Sequence, residues 1–86
     1  MINAQQHPVA WVGLLTELED AREHLEGLIK SMNDVGSIEE SVFGVDLGHV
    51  FAHLNRAWHS RNQTSEISEH QWPSFSQFPK DLKPVG

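Results

Sequence analysis

Residues 8–33 read PVAWVGLLTELEDAREHLEGLIKSMN. In this stretch Trp11, Leu14, Leu18, Ala21, Leu25, Leu28 and Met32 recur at alternating steps of three and four, an unbroken heptad pattern. Leu15 and Ile29 sit beside that seam and widen it, while Glu19, Asp20, Glu23, Glu26 and Lys30 fall on the opposite side. Glu26 and Lys30 also stand in the favourable i, i+4 order for an ion pair. Pro8 suits a first helical turn, where its missing N–H has no intrahelical partner to lose. Asn33-Asp34-Val35-Gly36 supplies stop chemistry, with Gly36 able to turn left-handed. The spacing therefore predicts a helix from about Pro8 to Asn33, roughly 39 Å long at 1.5 Å per residue. A rod of that shape cannot bury its own apolar stripe.

Ser37-Ile38-Glu39-Glu40 matches a capping box and predicts a second helix start. Ile38, Val42 and Val45 share one face of that helix, whereas Leu47, Val50, Phe51, Leu54, Ala57 and Trp58 lie on another. This phase change, with Gly44 and the cap-competent Asp46, predicts a break near 44–46 and a fresh helix from Leu47 to about Arg61; one kinked helix over 38–61 is the other arrangement. In both, the seam Leu47, Val50, Leu54 and Ala57 faces the first helix. Beyond Asn62 the chain is polar, and then Trp72, Phe75 and Phe78 recur every third residue among Pro73, Pro79 and Pro84. That period suits an extended polyproline-like strap with one aromatic edge, packed on the same bundle or on a partner subunit. The expected organisation is a helical domain over 1–63 and a linker plus strap over 64–86.

The fold class expected is all-α: an antiparallel helical hairpin with a short intervening helix and the C-terminal strap. A chain of 86 residues without cysteine has neither disulfides nor thiolate metal ligands to reinforce a small core. One hairpin leaves half of each stripe in water, so the sequence predicts a homodimer in which two hairpins form a four-helix bundle.

Charge narrows the function. A net charge of −6 argues against nucleic acid or an anionic membrane as partner. Residues 9–34 hold six acids against Arg22 and Lys30, whereas residues 47–63 hold Arg56 and Arg61, three histidines and no acid. An acidic helix followed by a basic one is complementary within a hairpin, and it predicts pairing of the arginines with the first helix. No stretch approaches a membrane span and no basic-then-apolar leader opens the chain, so a cytoplasmic location is expected.

Candidate chemistry is sparse. Asp46, His49 and His53 sit on one flank of the predicted last helix and could converge on a divalent cation, the one cofactor these residues admit. A facing acid such as Glu17 offers the histidines a purely structural partner instead. There is no nucleophile elbow, catalytic cysteine or phosphate loop. Arg56, Trp72, Phe75 and Phe78 are the residues expected to engage a partner. The reading reached from sequence is a small, soluble, non-catalytic interaction or regulatory module that self-associates and engages another protein, with a metal-dependent site on Asp46, His49 and His53 as the alternative.

Overall fold

The computed structural model describes residues 1–86 and consists of helices α1 (Pro8–Val35) and α2 (Glu40–His59) and a single turn, α3 (Trp72–Phe75). Helix α1 follows its periodicity from Pro8 and ends on Gly36, whose φ of 79° is left-handed and whose N–H reaches the Met32 carbonyl at 2.8 Å. Only residues 36–39 separate the two long helices, so they fold back into an antiparallel hairpin. At its open end the Ile2 N–H meets the Arg61 carbonyl at 2.9 Å, and Ile2 packs with Leu14 and Ala57.

The seam between the helices is not the one the leucines suggest. Leu14, Glu17, Ala21 and Leu28 of α1 are buried, against Val50, Arg56 and Ala57 of α2. Leu18 and Leu25, which share the predicted stripe with Leu14 and Leu28, are exposed. Glu17 and His24 take their places in the heptad register, which makes the hairpin seam a stack of alternating apolar and polar layers. Asp20, expected on the far side, is half-buried beside this seam. Lys30 pairs with Asp34 at 2.6 Å instead of Glu26, which lies 3.9 Å from Arg22.

Three further expectations are corrected. Helix α2 runs without a break through Gly44, Asp46 and Gly48, so there is no short intervening helix. Each helical glycine costs about 1 kcal/mol relative to alanine, which is less than the loss of continuous packing against a helix of 28 residues. Glu39, not Ser37, precedes its first turn, and no side chain caps it. The strap is not polyproline-like throughout. Ser68 and Gln71 exchange bonds in the reciprocal manner of a capping box, the Gln71 N–H to Ser68 Oγ and the Ser68 N–H to Gln71 Oε1, both at 3.1 Å. This nucleates the turn that contains Trp72 and Phe75.

The aromatic side chains of the strap lie on α2 of the same chain. Trp72 covers the Arg56 guanidinium at 4.1 Å, Phe75 stacks on His59 and Phe78 on Phe51. Pro79 is the most deeply buried side chain. Downstream, Asp81 accepts from the Trp58 indole N–H at 2.9 Å and from Arg61 Nη2 at 3.1 Å. The indole hydrogen bond holds the Asp81 carboxyl below its ordinary value of 3.8, against a smaller opposing effect of desolvation and with help from Arg61.

The strap should contribute to stability as a structural part of the hairpin. Trp72→Ala will lower unfolding free energy by about 1–2 kcal/mol, against less than about 0.5 for Lys80→Ala, measured by urea denaturation; an unchanged midpoint after truncation at Ser68 would refute this role. Because a depressed carboxyl stabilises above its unfolded value and loses that stabilisation as pH falls through the folded one, the Asp81 clasp stays closed at neutral pH. The NMR resonance of the Trp58 indole N–H will titrate with a midpoint below 3.8 and will lose this step in Asp81→Asn.

Candidate functional site

Arg56 is the centre of the polar layer. Its Nε donates to Glu17 Oε2 at 2.6 Å, Nη1 to Ser76 Oγ at 2.8 Å, and Nη2 lies 3.0 Å from His53 Nδ1. The guanidinium thus ties α1, α2 and the strap together while its face is closed by Trp72. Beside it the Asn55 amide donates to the Ser76 carbonyl at 2.9 Å. The expectation that the basic segment pairs with the acidic helix holds for Arg56; Arg61 turns to Asp81 instead.

His53 stands between opposed neighbours. Its Nδ1 is 3.0 Å from Arg56 Nη2 and 3.3 Å from Glu17 Oε1. A guanidinium only donates and a carboxylate only accepts. Protonated Nδ1 therefore suits Glu17 and opposes Arg56. Unprotonated Nδ1 suits Arg56 and leaves its lone pair facing Glu17 Oε1. Neither state of the ring satisfies both contacts.

From His53 the edge of the hairpin opens to solvent through two more imidazoles. The His24 ring is stacked on His53 and edge-on to His49, with centroids 5.2 Å apart in both pairs. His24 and His49 are exposed, and neither makes a hydrogen bond through its ring. Metal-type donors of Glu17, Asp20 and His53 come within 4.8 Å of one another. Of the trio anticipated from sequence, His53 lies in this group and His49 is connected to it through His24. Asp46 lies further along the edge, where it lines a recess with Glu23, His24, Gly27 and Leu28. Glu17, Asp20 and His24 are spaced i, i+3 and i+7, and that spacing on one helix face was the signal available for them in the sequence.

On the other side of Glu17 is a cleft of about 250 Å³ between α1 and the linker, walled by Val9, Leu14, Ile67 and Trp72. Gln63 closes its linker side by a reciprocal amide pair with Gln71 at 3.0 and 3.1 Å. Of the residues expected to bind a partner, Arg56 is buried and Phe75 half-buried within the chain, while Trp72 and Phe78 remain about half exposed. No helix is long and apolar enough to cross a membrane. No protein-family model, curated protein or solved structure matches this chain.

The buried Glu17–Arg56 pair leads to a two-part expectation. Glu17→Ala strands the guanidinium and will destabilise by about 3–5 kcal/mol, whereas the double change Glu17→Leu with Arg56→Met will recover most of that loss. Thermal unfolding followed by circular dichroism distinguishes the two; equal losses in both variants would mean that packing volume, not charge, holds this layer.

Proposed function

We propose that this chain is a non-catalytic helical interaction module whose working form is a homodimer, two hairpins pairing as a four-helix bundle. The observation that carries the reading is surface left over. A folded monomer of 9.7 kDa exposes about 5,100 Å², whereas this chain exposes 6493 Å². The excess of roughly 1,400 Å² exceeds the ~800 Å² per partner of a standard interface. Shape agrees: the radius of gyration is 14.7 Å, against about 12 Å for a compact domain of this length.

The excess is apolar and lies on one side. Leu15, Leu18, Leu25 and Ile29 each follow a seam position of α1 by one residue, and Leu47, Phe51 and Leu54 do the same on α2; all seven are between 38% and 57% exposed. One residue is a rotation of 100°, and in an antiparallel pair equal rotations in chain sense point to the same side of the hairpin. Each helix thus carries two adjacent heptad seams, the first used within the chain and the second continuous across both helices. A second copy supplies an identical face of the same length, as a two-fold bundle requires. Arg22 interrupts this face near its centre and carries Glu26 as its counter-charge, so a polar layer sets the register between copies.

Between Leu28 and Val50 no residue is buried, although Ile29, Val35, Val42, Val45 and Leu47 all lie there. The second copy closes this turn end of the hairpin as well. The strap, packed along α2, leaves Trp72 and Phe78 about half exposed at the rim, where another protein would meet the assembled dimer.

Light scattering coupled to size exclusion will give twice the 9.7 kDa chain mass. Leu18→Lys with Leu25→Lys will convert the dimer to monomer and lower its melting temperature, since these side chains lie outside the hairpin's own seam. A wild-type monomer at 100 μM would overturn the proposal.

A further inference from the structure

The opposite edge of the hairpin is a second, chemically distinct surface. We propose that Glu17, Asp20 and His53, with His24 beside them, form a binding site for a single first-row divalent metal ion of zinc's borderline class. The donor set is mixed carboxylate and imidazole, the combination such ions prefer over the all-oxygen shells of calcium and magnesium. Donors around one tetrahedral ion stand about 2.0–2.2 Å from it, hence about 3.3–3.6 Å from each other. The three groups lie within 4.8 Å of one another, so rotamer adjustments of up to about 0.8 Å each close the shell.

Two independent features point to a cation rather than to ordinary helix packing. The first is His53, whose Nδ1 faces a carboxylate oxygen and a guanidinium at once and is satisfied by neither ring state. A metal ion accepts lone pairs from both Nδ1 and Glu17 Oε1 and relieves the approach of those two acceptors, displacing the Arg56 Nη2 contact to Nδ1 as it does so. The second is charge. Arg22 and Lys30 of α1 are paired with Glu26 and Asp34, and Arg61 with Asp81. Asp20, Glu23 and Asp46, which line this edge, have no ion-pair partner, and Arg56 is the one basic side chain in contact with it. Arg56 holds Oε2 of Glu17 and so aims Oε1 at the cluster, the role an outer-sphere partner plays for a ligating carboxylate. His24, exposed and stacked on His53, lies beside this group without belonging to it.

The site lies on the opposite edge from the apolar face, so binding is read per chain whether or not the protein dimerises. The test is isothermal titration of the untagged, chelator-stripped protein with Zn²⁺ alone, with native mass spectrometry for stoichiometry. One ion per chain is expected. Asp20→Asn, which leaves the Glu17–Arg56 pair intact, and His53→Ala will each weaken binding at least tenfold, and His70→Ala, remote from the cluster, will leave it unchanged. Uptake that survives both Asp20→Asn and His53→Ala, or that falls equally in His70→Ala, would show adventitious binding by scattered surface imidazoles and overturn the site. Absence of uptake would do the same. Circular dichroism confirms that each variant is folded, and Asp20→Asn alone decides the matter if His53→Ala is not.

Discussion

One guanidinium holds this small chain in its shape. Arg56 is sunk between two helices and a C-terminal turn, and its donors reach one group on each. Burying an ion pair carries a desolvation penalty that the Coulombic attraction offsets only when the remaining hydrogen bonds are also made. Here Ser76 Oγ accepts from Nη1, His53 Nδ1 lies 3.0 Å from Nη2 and the Trp72 indole covers the guanidinium face. The pair therefore specifies more than it stabilises. It fixes which rotation of α1 faces α2, because only one rotation brings Glu17 to Arg56.

That choice of rotation has a cost in apolar burial. A seam built on Leu14, Leu18, Leu25 and Leu28 would bury four leucines, whereas the observed seam replaces Leu18 and Leu25 by Glu17 and His24. Leu18 and Leu25, 43% and 40% exposed, forgo part of the about 1.5–3 kcal/mol that full burial of a leucine gives. Within a single chain this choice is unfavourable; in the proposed dimer the displaced leucines would form a second seam. The polar layers and the exposed stripe are two aspects of one arrangement, with ionisable groups gathered on one edge of the hairpin and apolar ones on its opposite face.

The long first helix, its ends and the antiparallel partner were legible in the sequence because period, proline and glycine all agree there. The rotation of that helix was not. Heptad reading assigns leucines inward by default, and nothing in Glu17 alone announces a buried carboxylate; its partner is 39 residues away. The same default hid Asp20 among the solvent-facing acids. Gly44 and Asp46 signalled a break that tertiary packing overrode, and the serine that caps a turn by its side chain is Ser68 rather than Ser37. His49 and His53 were legible as a helical pair, but their companions on α1 could be found only once the rotation was known.

The placement of the core has a consequence for how the molecule is made. Its anchoring contacts join Ile2 to Arg61, Glu17 to Arg56 and Arg56 to Ser76, all at the end of the hairpin away from the turn. No residue from 29 to 49 is buried, so closing the turn by itself gains little apolar burial, and distant segments must meet before much is gained. Hairpin and strap are therefore coupled: Arg56 and Glu17 meet across the two helices while Ser76 and Trp72 complete the guanidinium's surroundings from the strap, so loosening either one loosens the other.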